Sequence, residues 1–146
     1  MSFKDKVVFI SGASSGIGAA TAKEFSKEGA YVVIVDRNET KMEKVAAECV
    51  SYGKKSLVIK ADVSKDNEVK AAIDKTIQKF EKLDILVNNQ ERAGIIRYEN
   101  FIDGRILEAY DELMATNLRA TVHLTSLAVP HLIETKGSVI DIYSIA

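Results

Sequence analysis

The stretch Ser11-Gly12-Ala13-Ser14-Ser15-Gly16-Ile17-Gly18 lies between an apolar run, Val7 to Ile10, and a helix-forming run that opens at Ala19. That context reads as strand, glycine turn, helix. Such a junction brings the unpaired N–H groups of a helix N-terminus to the edge of a sheet, where they and the positive end of the helix dipole hold a phosphate. Gly12 lets the chain turn out of the strand, Gly16 removes a Cβ where a pyrophosphate approaches, and Gly18 lets the helix pack closely on the sheet. Ser11, Ser14 and Ser15 add hydroxyl donors, and Ile17 belongs to the same cradle. The spacing, Gly-x-x-x-Gly-x-Gly, differs from the Gly-x-Gly-x-x-Gly of the common dinucleotide fingerprint. Asp36 strengthens the reading, because it ends a second apolar run, Tyr31 to Val35. A carboxylate there accepts hydrogen bonds from the adenosine ribose hydroxyls of NAD and repels a 2′-phosphate. Arg37 tempers that preference, since a guanidinium accommodates the phosphate in part. NAD is the expected cofactor and NADP the less favoured one. The bland alternative is a structural βα turn beside an unrelated surface Asp.

Working outward, the chain has 146 residues, 47% hydrophobic and 28% charged, with a net charge of −1. This suits one domain spanning residues 1–146 with a real core. The balanced charge argues against nucleic acid and against an anionic membrane surface as partners. The single cysteine, Cys49, allows no intrachain disulfide and suits a reducing compartment. The two histidines, His123 and His131, stand apart from any Cys/His cluster, so no metal site is expected. No signal-peptide segment precedes the first strand and no run reaches transmembrane length. A cytoplasmic location follows as the default.

Strands are expected at Val7 to Ser11, Tyr31 to Asp36, Ser56 to Lys60, Leu83 to Val87 and Ser138 to Tyr143, alternating with helices. Their near-continuous apolar character marks strands covered on both faces, as in a parallel sheet. Gly29 closes the first helix, Thr40 and Glu43 form a capping box for the second, and Lys136-Gly137 stops the last. A short helix around Leu107 to Leu113 precedes a long one from about Met114 to Glu134, which Pro130 should bend or loosen near its end. On a helical wheel Leu118, Val122, Val129 and Leu132 form one stripe, with Ala120, Leu124 and Leu127 opposite. One stripe covers the sheet, and the expectation is that Leu124 and Leu127 are left to a partner. The architecture is α/β: a Rossmann-like, doubly wound parallel sheet of about five strands.

These residues together resemble the short-chain dehydrogenase/reductase family, from about Lys6 to the end of the chain. Ser11 to Gly18 is similar to its Thr-Gly-x-x-x-Gly-Ile-Gly, with Ser for Thr. Ala61-Asp62-Val63 resembles the motif whose Asp bonds the adenine, and Asn88-Asn89 the start of Asn-Asn-Ala-Gly. Asn117 matches the Asn of the long helix, and Ser144 the active-site Ser after strand five. The resemblance implies hydride transfer between the nicotinamide of NAD(P) and a carbonyl or alcohol. In that chemistry a Tyr exchanges the proton, a Lys four residues on lowers its pKa, the Ser positions the substrate oxygen and the Asn holds a relay water. The candidate site is therefore Ser144 and Asn117 for catalysis, with Ser11, Gly12, Ser14, Ser15, Gly16, Ile17, Gly18, Asp36, Arg37, Asp62, Val63 and Asn89 for the cofactor.

Three departures bear on function. No Tyr-x-x-x-Lys occurs anywhere in the chain. The segment that carries it in the family follows the position of Ser144, so the chain is expected to be truncated after strand five and inactive by itself. Gln90-Glu91-Arg92 reads as an insertion before Ala93-Gly94-Ile95, either a tolerated loop or damage to the cofactor cradle. Tyr143 replaces a smaller residue before Ser144, crowding the active-site floor or filling vacated space. The main reading is an NAD(P)-dependent oxidoreductase whose carbonyl or alcohol substrate needs a complete form. The alternative is a non-catalytic dinucleotide-binding or subunit-pairing module that self-associates or joins a full-length relative. A Rossmann-like body with no ligand is the third.

Overall fold

Every residue of the first strand, β1 (Val7–Ser11), is buried, so both faces of the sheet carry a layer of helices. The computed structural model describes residues 2–90 and 98–143. After β1 come α1 (Gly16–Lys27), β2 (Tyr31–Asp36), α2 (Glu39–Val50), β3 (Leu57–Lys60), α3 (Asp66–Phe80) and β4 (Ile85–Asn88). Then follow α4 (Tyr98–Ile102), α5 (Ile106–Met114), a π-helical turn at Ala115–Arg119, α6 (Ala120–Thr135) and β5 (Ser138–Asp141). The strands form one parallel sheet in the order β3-β2-β1-β4-β5. This is the doubly wound arrangement that the sequence leads one to expect.

Alternation along each strand divides the core in two. Phe9, Val33, Val35 and Leu86 meet Val69 and Ile73 of α3 and Leu124 and Leu132 of α6. Val8, Ile10, Val32, Ile34 and Val87 meet Ala19 and Ala22 of α1 and Met42 and Val45 of α2. Cys49 is buried in that second layer. Burial raises its thiol pKa, against partial compensation from the Ser56 and Ser26 hydroxyls, so it packs as an inert thiol.

Several local expectations are corrected. Asn38, not Thr40, caps α2: its side chain accepts from the Lys41 amide at 3.0 Å, because the helix begins already at Glu39. Strand five ends at Asp141 rather than Tyr143, and strand four begins at Ile85 rather than Leu83. At the end of α6 it is Lys136, with φ +52°, that takes the left-handed position. Gly137 is needed for a different reason, since a Cβ there would collide with the Asp84 carbonyl. α6 runs on past Pro130 to Thr135.

The largest correction concerns the faces of α6. Ala120, Leu124, Ala128 and Leu132 form the buried row, and Leu127 is partly buried beside it. Leu118, Val122, Val129 and Ile133 face outward, Val122 at 62% and Ile133 at 71% exposure. The buried row follows i, i+4 spacing, and its two alanines let the helix approach the sheet closely. A wheel weighted by large side chains overlooks that row.

Candidate functional site

β1, β2, β3 and β4 all release their chains at the same edge of the sheet. The strand order reverses between β1 and β4, and a crevice outside the carboxyl ends forms at such a switch point. A cleft of about 250 Å³ opens there, lined by Gly12, Ser15 and Ile17 from the glycine turn, and by Asp36 and Arg37 after β2. Ala61, Asp62 and Val63 after β3, Asn89 and Gln90 after β4, and Thr116 of the π-turn complete it. Residues distant in sequence thus meet because parallel strands deliver them to one rim.

The glycine turn is held by β4 as much as by its own strand. Gly12 has φ +64°, and a Cβ on it would lie 2.8 Å from the Asn89 carbonyl oxygen. The Asn89 side chain donates to the Gly12 carbonyl at 3.0 Å, and its backbone N–H donates to Ser11 Oγ at 3.0 Å. Gly18 packs against the Gly12 carbonyl and the Asn89 amide rather than against the sheet as expected. Gly16 differs: at φ +56° its missing Cβ faces open space. Ser15 sits at the N-cap of α1 in extended conformation and makes no side-chain cap. The first-turn amides are therefore left to an incoming acceptor.

Asp36 is already engaged. Its Oδ2 accepts from the Ser14 hydroxyl at 2.7 Å and the Ser14 amide at 3.2 Å, and its Oδ1 accepts from the Arg37 amide at 2.7 Å. A carboxylate oxygen has two lone-pair sites, so Oδ1 keeps room for one further donor. Asp62 accepts from the Ser64 hydroxyl at 2.6 Å and its amide at 3.0 Å. Burial works against the Asp62 charge, but the Ser64 bonds, with Arg37 and Lys65 nearby, hold its pKa below the ordinary carboxylate range. Among the described lining residues, the ionisable side chains are Asp36, Arg37 and Asp62.

Asn117 lies in the π-turn, partly buried, next to Thr116. Ser144 lies outside the described residues, as do Glu91, Arg92 and Ala93-Gly94-Ile95. Tyr143 is 65% exposed. Ala61, Gln90 and Thr116 line the cleft without being among the expected site residues, Gln90 being expected only as the start of an insertion. Gln90 is buried, accepts from Ser11 Oγ, and donates to Thr121 Oγ1 at 2.9 Å. So at least the first residue of the apparent insertion is built into the cradle's frame. A polar residue at the end of a fully buried strand is the only sequence signal for it. No helix among the described residues is long and apolar enough to cross a membrane.

Comparison with known proteins agrees with this geometry. The sequence profile described as short chain dehydrogenase matches residues 6–146. The chain is similar to 11-beta-hydroxysteroid dehydrogenase-like 3 of Arabidopsis thaliana, 39% identical over 140 residues, 95% of this chain and 44% of that one. An uncharacterized oxidoreductase of Thermotoga maritima is 40% identical over 140 residues, 96% of this chain and 53% of its own length. The crystal structure of Caenorhabditis elegans glucose dehydrogenase in the apo form superposes with TM-score 0.86 at 38% identity, covering 100% of this chain and 57% of that one. The chain spans about half the length of the curated relatives it matches.

Proposed function

This chain belongs to the short chain dehydrogenase family, and we propose that its cleft binds a nicotinamide dinucleotide, NAD in preference to NADP. One observation carries the reading: Ser15 at the uncapped N-terminus of α1 and Ile17 of its first turn line the same cleft as Asp36, whose Oδ1 still accepts one donor. Gly12, Ser14, Ser15, Gly16, Ile17 and Gly18 would cradle the pyrophosphate, Asp36 would take the ribose, and Asp62 with Val63 the adenine. Residues 1–146 act in this reading as one dinucleotide-binding unit. When bound, the cofactor supplies the hydride for a carbonyl or takes it from an alcohol. Ser144 would position the reacting oxygen, and Asn117 would hold a water of the proton relay. The chain contains no Tyr-x-x-x-Lys, so we propose that it binds the dinucleotide without turning it over at a useful rate. Positioned acid–base catalysis typically contributes about 10²–10⁴-fold.

Isothermal titration with NADH and NADPH tests the reading on the wild type and on Asp36→Ala. NADH should bind more tightly than NADPH, and Asp36→Ala should narrow the gap. An unchanged ratio of affinities removes Asp36 from the ribose site, and absence of binding removes the dinucleotide. Steady NADH oxidation with carbonyl substrates, abolished by Ser144→Ala, would show a complete enzyme.

A further inference from the structure

Four buried or half-buried groups join the glycine turn to the π-turn through hydrogen bonds of a single polarity. The Asn89 and Gln90 amides donate to Ser11 Oγ at 3.0 and 3.3 Å, and Ser11 Oγ donates to Gln90 Oε1. Gln90 Nε2 donates to Thr121 Oγ1 at 2.9 Å, and Thr121 Oγ1 donates to the Asn117 carbonyl at 3.4 Å. Ser11 Oγ also lies 3.3 Å from the Val87 carbonyl oxygen, a second acceptor for its one proton. With the Thr121 proton on the Asn117 carbonyl, which can only accept, Thr121 Oγ1 takes its other bond from Gln90 Nε2. That forces the NH₂ of Gln90 toward Thr121 and its oxygen toward Ser11. Bonds aligned in this way polarise one another, and in a buried setting a missing link leaves a polar group unpaired.

We propose that Gln90 is a positioning residue of the cleft: its amide links Ser11, at the root of the glycine turn, through Thr121 to the backbone of the π-turn that carries Thr116 and Asn117. The two walls of the cleft are thereby held in register by side chains from β1, the end of β4 and α6. Where the resemblance leads one to expect an Ala after Asn88-Asn89, this chain has a residue long enough to span the gap. Thr121 is absent from the cleft lining, so its hydroxyl acts on the site only through the link. The proposal rests on the cleft being the dinucleotide site.

The experiment uses the 146-residue chain, NADH fluorescence titration and amide hydrogen exchange by NMR, with Thr121→Val and Thr121→Ser. Valine keeps the shape of threonine without the hydroxyl, and serine keeps the hydroxyl. Loss of a buried link should weaken NADH binding about tenfold in Thr121→Val and speed exchange at residues 117–121, with Thr121→Ser within about twofold of wild type. Equal affinity of Thr121→Val and wild type overturns the proposal, and so does a Thr121→Ser as weak as Thr121→Val. If the wild type binds no NADH, the dinucleotide reading fails and exchange alone decides the link. Faster exchange in Thr121→Val, restored in Thr121→Ser, then upholds it, and unchanged exchange in Thr121→Val overturns it. Gln90→Glu supplies a second arm. A carboxylate accepts only, so Thr121 must turn its proton away from Asn117, and exchange at the π-turn should rise as in Thr121→Val; wild-type exchange there overturns the assignment.

Discussion

Gly16 and Gly18 share one turn yet should fail in different ways. A Cβ at Gly18 collides with the Gly12 carbonyl and the Asn89 amide, so Gly18→Ala should cost about 1–3 kcal/mol or more of stability by urea denaturation. A Cβ at Gly16 meets nothing; Gly16→Ala should cost only about 1–2 kcal/mol for its left-handed backbone. On the proposed function it should nevertheless weaken NADH binding at least as much as Gly18→Ala does, because the added methyl would stand at the uncapped N-terminus of α1. A third residue, Asp84, governs acid stability. Its side chain is 4% exposed and accepts from the Val7 amide at 2.8 Å, with Lys6 and Lys82 at 3.3 and 3.2 Å. Burial raises its pKa, but those donors outweigh burial and hold it below the ordinary value. A depressed folded pKa gives stability that is fully present above the unfolded carboxylate value, about 4, and is lost as pH falls through the folded one. Asp84→Ala should cost about 1.5–3 kcal/mol at pH 7, and Asp84→Asn should flatten the fall in urea midpoint between pH 5 and 3. The convergence of Gly12, Asp36 and Asp62 on one cleft was legible in the sequence because each follows or ends a strand at the same edge of the sheet. The bonds from Ser14 to Asp36 and from Ser11 to Gln90 were not, since they join residues brought together only by the sheet.

At the scale of elements, strand and helix succession could be read almost throughout, because parallel strands buried on both faces announce themselves as apolar runs. The facing of α6 could not. Leucines and valines lie all around it, and the choice of face depends on Ala120 and Ala128, whose small size gives close approach rather than a strong apolar signal. The π-turn at Ala115–Arg119 was equally hidden, since no residue in Ala-Thr-Asn-Leu-Arg breaks a helix. The observed facing makes a sharp contrast available. Leu124→Ala, in the buried row, should cost about 2–5 kcal/mol, whereas Val122→Ala, on the exposed row, should stay within about 0.5 kcal/mol. Urea midpoints of the two variants check this, and the opposite order would restore the face expected from the wheel.

At the scale of the whole molecule, α6, the π-turn before it and β5 all expose large apolar side chains. Leu118 of the π-turn and Val122, Val129 and Ile133 of α6 face outward, and β5 is an edge of the sheet among the described residues, with Val139 and Ile140 exposed. An apolar edge strand invites pairing with another chain. Sedimentation equilibrium should therefore show an average mass that rises with concentration, and Val122→Lys combined with Ile140→Lys should return it toward the monomer; a concentration-independent monomer would contradict this. The sheet order has a separate consequence for synthesis. β1 lies between β2 and β4, but the chain delivers β2 soon after β1 and β4 only at Ile85–Asn88. At about 5–20 residues per second, the ribosome needs several seconds to supply the intervening length. Through that interval the strand Val7–Ser11, apolar on both faces, keeps one flank unpaired. A nascent chain stalled before Asn88 therefore carries an open aggregation template, and cotranslational protection of its first strand must last until the fourth has left the tunnel.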